Sequence, residues 1–339
     1  MPKTASKTGF NWTHRESVDS TNDLVLAAAR RGEGTGLWVT ADRQLKGRGR
    51  GGRSWASDPG NFHGSLLYVT HRPVGALSLL PLAAGLAVRG AIMEILVGEY
   101  GGSNDARLIS DNLPLEGRSK FASEAQQTSG GGTHVEAAPP PEICLRSARQ
   151  ISTSPQGGGY KRMAPRDALG SGTVAGAGQI ELPLALKWPN DVLLGGRKLA
   201  GILLESETLP GGGTAVAVGC GINLDHHPAD AARPATDLAE HGAQCRITDL
   251  LPVLARRMAA ALELFERAPG RVAESWLAAA HGLGGPIVVR LPSASFSGTF
   301  AGLDASGRLI LEEEAGGRRL VSAGEVFFGE TIPAEEGAA

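Results

Sequence analysis

The sequence predicts an α+β protein in two ordered parts: mixed helices and strands over 10–284, and short strands alone over 285–332. Three observations predict it. Apolar residues in the first part switch between alternating runs and helical spacing. The last fifty or so residues carry short apolar runs with turns between them at regular intervals. Between 101 and 180 the patterning stops: Val, Ile, Leu and Phe number 12 of 80 residues, while Gly, Ser and Pro number 28. That is below the apolar share of about 20% at which a packed core becomes doubtful. The stretch reads as a disordered insertion, with one short helix near 142–151. A chain of 339 residues has room for two domains around it.

Each element has a local cause. Ser20-Thr21-Asn22 supplies N-cap chemistry for an Ala/Leu-rich helix over 23–31, stopped by Gly32. Leu37–Ala41 reads as a strand entering a Gly/Arg-rich stretch, and Ser65–Thr70 as a second strand. Leu82, Leu86, Ile92, Ile95 and Leu96 mark a long helix from Leu79 to about Glu99. Leu182–Lys187 and Val192–Leu194 bracket a turn at Trp188-Pro189-Asn190-Asp191, as a hairpin would. Leu199–Glu205 and Thr214–Gly219 are further strands, the second almost wholly Ala and Val, as in a strand buried on both faces. Leu250, Leu251, Leu254, Met258, Leu262 and Phe265 recur at helix spacing behind Thr248 as cap, and a second helix follows over 271–280. Short strands at 286–291, 295–300, 308–311 and 319–321, with turns at 304–307 and 316–317, predict a small β-barrel.

Composition excludes several classes. The 33 basic and 35 acidic residues do not make a broadly basic nucleic-acid coat. No run approaches about 18 apolar residues, so no membrane span is expected. Met1–His14 has basic residues but no apolar stretch after them, unlike a secretory signal. Cys144, Cys220 and Cys245 are odd in number and far apart, which predicts free thiols in a reducing compartment, the cytoplasm.

Two stretches carry chemistry. Gly47-Arg48-Gly49-Arg50-Gly51-Gly52-Arg53, followed by Trp55, concentrates three guanidinium groups on a backbone able to approach phosphate oxygens. Lys187 at a strand end, beside Pro189, is placed as a point charge for phosphate or carboxylate. Asn190 and Asp191 serve either the turn itself or a ligand. His226-His227 resembles half a metal site without a third ligand, and reads as an exposed loop pair.

Four motifs in order, GRGRGGRSW (47–55), KWPNDV (187–192), KLAGIL (198–203) and GCGIN (219–223), resemble the motif set of biotin protein ligases. Ser20-Thr21-Asn22 and Gln44 match as well, and the β-rich tail resembles that family's C-terminal domain. The resemblance covers nearly all of the chain except 101–180. It implies a class II synthetase-like mixed sheet with helices, plus a small C-terminal SH3-like β-barrel. It implies activation of biotin by ATP and Mg2+ as biotinyl-5′-AMP, then transfer to a lysine of a biotin carboxyl carrier protein or domain. Lys187 and Arg50 would be catalytic, and Lys187→Ala would lose adenylation with folding retained. Ser20, Thr21, Asn22, Gln44, Gly201 and Leu203 would bind biotin. Arg48, Gly49, Arg50, Arg53, Lys187 and Asn223 would bind the adenylate, with the glycine loop closing over it. No direct protein ligand for a metal is implied, Asp191 being the one candidate.

Leu45-Lys46 departs from the smaller or polar residues expected before the loop. Nucleic acid and membrane are not expected partners. Relatives occur as monomers and as dimers through the sheet edge, so a homodimer stays open. The ten or so residues ahead of the first element leave no room for a helix-turn-helix domain, which implies the monofunctional type. A lipoate or octanoate ligase of the same superfamily is the nearest alternative; an RGG-type RNA-binding protein is the alternative of a different class.

Overall fold

A computed structural model describes residues 10–100, 184–229, 233–291, 293–314 and 316–328. The expected insertion over 101–180, with its short helix, lies outside the described residues. The elements run β1 (Asn11–Val18), α1 (Thr21–Arg30), β2 (Leu37–Gln44), β3 (Phe62–Thr70) and α2 (Leu80–Tyr100). They continue with β4 (Leu184–Lys187), β5 (Asp191–Leu194), β6 (Arg197–Thr208), β7 (Thr214–Ile222), α3 (Ile247–Arg267) and α4 (Pro269–Leu277). The tail adds β8 (Pro286–Arg290), β9 (Ser295–Leu303), β10 (Leu309–Glu312), β11 (Arg318–Val321) and β12 (Glu325–Phe328).

Strands β1 to β7 form one mixed sheet in the order β1-β2-β3-β7-β6-β5-β4. β1 and β2 are parallel, joined through α1, and the other pairs are antiparallel. The Ala/Val-rich β7 is the central strand and is buried along almost its whole length. β1 escaped the sequence reading because NWTHRESV is mostly exposed at an edge, so no buried alternation marks it.

The two faces of the sheet are covered differently. Residues 216, 218, 220 and 222 of β7 face the large core shared with α2, α3 and α4. Ala215 and Ala217 face the other way, against Val25, Leu26, Ala28 and Ala29 of α1. α1 has ten residues, about 15 Å of helix, and its cover ends at its N-terminus. Beyond that point the same face of β7 continues as Gly219 and Gly221.

α2 and the turn before it, Val74–Gly98, are long and apolar enough to cross a membrane by length and composition, contrary to the sequence reading. Gly and Ala between the leucines keep the stretch apolar without an unbroken run of large side chains. Most of it is buried in the main core, as a central helix of a globular fold would be. α3 begins two residues earlier than a cap at Thr248 would allow: Arg246 is the N-cap, and its N–H donates to Asp249 Oδ2 at 3.3 Å, the backward half of a capping box.

The tail is a five-stranded antiparallel sheet in the order β11-β10-β9-β8-β12. It curls in SH3-like fashion but stays open, because β11 and β12 each pair on one side only and do not meet. Ile287, Val289, Phe300, Leu309, Leu311, Val321 and Val326 join the same hydrophobic cluster as α2 and α4. The Trp188 indole, 3% exposed, donates to the Gly307 carbonyl at 3.1 Å and ties the β4–β5 turn to this tail.

Candidate active site

A cavity of about 640 Å³ opens where α1 ends. Register builds its floor. Gly201 of β6 pairs with Gly221 of β7, and Leu203 with Gly219, so these four share one face. Their missing side chains are used. A Cβ on Gly221 would stand 2.4 Å from the Trp55 ring, and one on Gly219 2.5 Å from Asn22 Oδ1. The indole and the amide therefore lie directly on the backbone.

At the α1 end, three of the residues expected to bind biotin, Thr21, Asn22 and Gln44, come together in one chain of hydrogen bonds. The Thr21 N–H and hydroxyl both donate to Gln44 Oε1, at 2.9 and 3.0 Å. The Thr21 and Ser65 hydroxyls are 2.7 Å apart, and Ser65 donates to Asn22 Oδ1 at 2.6 Å. Asn22 Nδ2 in turn donates to Glu205 Oε2 at 2.7 Å. Ser20, Thr21 and Asn22 are buried and line the cavity, as do Gln44, Gly201 and Leu203.

The same network reaches the glycine loop. Arg48 pairs with Glu205 at 2.9 Å and with Asp23 at 2.6 Å. Its hydrogen bonds to Asp23 and then Glu205 raise the guanidinium pKa further, so Arg48 is charged at every accessible pH. Arg50 turns inward, with Nη1 at 3.3 Å from Asn190 Oδ1 and 3.5 Å from the Gly324 carbonyl. Burial lowers its pKa. Arg53 pairs with Glu325 of β12. Gly49 lines the cavity with all three arginines.

The two lysines part company. Lys198 lines the cavity, with Nζ 2.7 Å from Asp191 Oδ1 and 5.3 Å from the Trp55 ring centroid. Lys187 pairs with Asp191 across the β4–β5 hairpin and so shares its face of the sheet. It stands one strand nearer the edge, under the tail, with Nζ 5.5 Å from the Phe328 ring centroid, and is not among the cavity-lining residues. Sequence reasoning chose the lysine of KWPNDV and passed over that of KLAGIL. It also missed Arg233, Glu325 and Glu205. Asn223 lines the cavity as expected, but its Nδ2 donates to the Thr236 carbonyl at 2.9 Å, so its amide oxygen is what it can offer a ligand.

His227 has the companions that its neighbours in sequence did not reveal. Its Nδ1 lies 2.6 Å from Asp237 Oδ2, and Glu240 stands with them, their ligand atoms within 4.8 Å of one another. Arg197 holds Glu240 at 2.8 Å, and Asp237 Oδ1 accepts the Glu240 N–H, which makes the group a clasp on the loop after β7. Cys220 and Cys245 are buried, and burial pushes the Cys220 thiol up to about 12.

Burial, with Arg233 and Lys198 nearby, pulls the Lys187 ammonium down to about 8 from 10.5. Between those values the folded chain has released a proton that the unfolded chain still binds. Stability therefore rises with pH across that window. Lys187→Met is expected to flatten the rise, read by denaturant unfolding of both proteins from about pH 7.5 to 10; identical slopes would refute it.

The mixed sheet, the glycine floor and the cation-rich mouth form a pocket suited to a small molecule with a polar head and an anionic end. Family models agree: "Biotin/lipoate A/B protein ligase family" matches residues 167–225, and "Biotin protein ligase C terminal domain" matches 282–329. A biotin--[acetyl-CoA-carboxylase] ligase of Paracoccus denitrificans is 33% identical over 324 residues, covering 92% of this chain and 98% of that one. A protein of the same name from Mycobacterium tuberculosis is 26% identical over 330 residues, 94% of this chain and 90% of that one. The chain belongs to the biotin protein ligase family. The structure of the biotin protein ligase from Aquifex aeolicus in complex with biotin and ATP matches its fold with a TM-score of 0.59 at 22% identity, covering 95% of this chain and 99% of that one.

Proposed function

We infer that this chain is an ATP-dependent ligase that activates biotin as biotinyl-5′-AMP and transfers it to a lysine of a biotin carboxyl carrier of acetyl-CoA carboxylase. The observation that carries the reading is one cavity with a hydrogen-bonding end, a flat apolar floor and a cationic mouth. The ureido group of biotin offers one acceptor and two donors, which suit the Ser20–Thr21–Asn22–Gln44 end. Its rings and valeryl chain suit the floor of Gly201, Leu203 and Gly221 beneath Trp55. Its carboxylate then points to Lys198 and the arginine loop. Lipoate has no polar head for the network at the α1 end and would leave those groups unpaired.

In the first step a carboxylate oxygen of biotin attacks the α-phosphorus and pyrophosphate leaves. Two unit charges about 4 Å apart repel by about 4 kcal/mol at an effective dielectric constant near 20. One ammonium placed between them offsets that. Lys198 is the group at the cavity wall for this role. Lys187, on the same face but behind it, adds to the field, and Arg50 neutralises charge developing on the phosphate. In the second step the acceptor lysine amine attacks the carbonyl of the mixed anhydride and AMP leaves, its charge met by the same cations.

Magnesium supplies charge neutralisation on the triphosphate when bound. Asp191, an oxygen ligand at the cavity wall, fits it while sharing its charge with Lys198. In this reading the domain over 10–284 carries the chemistry and Gly324, Glu325 and Val326 of the tail domain line one side of the site, with no nucleic-acid ligand required. The sheet edge at β1 leaves a homodimer compatible with it. Pyrophosphate release from ATP is expected to depend on biotin. Release driven by lipoate, or by neither acid, would overturn the assignment.

A further inference from the structure

Arg233 lines the cavity from the loop after β7, outside every motif named above. Its guanidinium lies 4.6 Å from the centroid of the Phe327 ring, whose position Arg290 shares at 4.9 Å. This aromatic platform fixes the plane of Arg233. Arg233 Nη2 is 2.9 Å from Glu325 Oε2, yet it is buried and makes no hydrogen bond, being out of line with that oxygen. A buried guanidinium nitrogen in this state is a donor with unmet capacity.

Glu325 has a second claim on it, through its other oxygen, from Arg53. One carboxylate thus serves two guanidiniums from two separate loops. Around it stand Arg50, which meets the neutral oxygens of Asn190 and Gly324, and Lys187, whose charge Arg233 and Glu325 both influence. With the Lys198–Asp191 pair beside them, five cations stand against two carboxylates, a site short of negative charge. Guanidinium forks match phosphate oxygens two at a time, whereas Glu325 gives each of these two guanidiniums a single oxygen.

We propose that Arg233 binds the β- and γ-phosphates of ATP, and that Glu325 is a stand-in anion that holds Arg233 and Arg53 until the triphosphate takes its place. The pyrophosphate leaving group is then held by Arg233 and Arg53 after adenylation. The inference rests on the ligase reading above. Inorganic pyrophosphate, titrated calorimetrically into the full chain with Mg2+, tests the site without turnover, beside ATP and biotin titrated separately.

Arg233→Ala is expected to weaken pyrophosphate and ATP binding by about tenfold or more, with biotin affinity changed by less than about twofold. Arg233→Lys, which keeps the charge and loses the fork, should fall between. Glu325→Gln removes the competing anion and is expected to tighten pyrophosphate binding roughly threefold; a purely structural clamp would weaken it. Pyrophosphate binding unchanged in Arg233→Ala, or weakened in Glu325→Gln, overturns the proposal. So does a raised KM for the carrier protein with pyrophosphate binding intact, which would mark an acidic protein surface as the ligand. Should Arg233→Ala not fold, Arg233→Lys and Glu325→Gln decide between the same outcomes. Loss of biotin-dependent pyrophosphate release in the wild type would instead fault the ligase reading, independently of these titrations.

Discussion

Lys198→Ala is expected to lower kcat/KM for biotin adenylation by about 10²–10³-fold, the usual cost of removing one preorganised charge-stabilising donor. Lys187→Ala is expected to cost only about tenfold, because its ammonium lies against Phe328 rather than at the cavity wall and acts through distance. The order of the two losses is the test, read as pyrophosphate release at saturating ATP. A larger loss from Lys187→Ala would return the central role to that residue. Stability complicates Lys198→Ala, since the Asp191 side chain is 12% exposed and loses its counter-ion. An uncompensated buried charge is destabilising in its own right. The double variant Lys198→Met/Asp191→Asn removes both charges. It is expected to recover the melting temperature and leave the adenylation defect in place, which separates the chemistry from the fold.

Why the lysine named from the sequence stands off the cavity wall while Lys198 lines it is a matter of register. In KWPNDV the lysine stands at a strand end beside a proline turn, which reads as an exposed, preorganised charge. The pairing of β4 with β5 alone places it at the sheet edge, and a register shift between Val192 and Leu193 in the β5–β6 pair lets Lys198 reach Asp191. A bulge of this kind leaves no mark in residue order. The glycines behaved otherwise. Gly219 and Gly221 two apart in a strand must share a face, so a bare patch on the sheet could be read directly, although its occupant, Trp55, could not.

Long-range partners were the least legible. The arginines of the 47–53 loop announce themselves by composition. Glu205, 157 residues beyond Arg48, is an ordinary acidic residue until β6 lies beside α1. Glu325 and Arg233 belong to stretches with no motif, and they meet only because the tail sheet shares the core of the main domain. The strands of that tail were readable from their spacing; its openness was not, because closure depends on whether the first and last strands meet. Asp237 and Glu240 could have been linked to His227, since they lie ten and thirteen positions on in the same loop. Proximity in sequence is weak evidence where a loop's path is unknown.

Gly221→Val is expected to weaken biotin binding by about 100-fold. A Cβ at this position would stand 2.4 Å from Trp55 Cε2, 2.6 Å from Cζ2 and 2.7 Å from Nε1, so the indole must leave the floor. Overpacking of this kind costs about 1–3 kcal/mol, and each 1.4 kcal/mol is about tenfold in affinity. The strand itself tolerates the change, because Val suits extended backbone and Gly221 has no positive φ. The loss should therefore fall on binding more than on folding. Trp55→Ala in the same background removes the clash and is expected to restore thermal stability. It should not restore biotin affinity, because the valine methyls still cover the face opposite Gly201 and the ring no longer has a wall to pack against. Biotin affinity of Gly221→Val within about twofold of the wild type, measured by equilibrium titration, would show that the face shared by β6 and β7 is not the floor on which biotin lies.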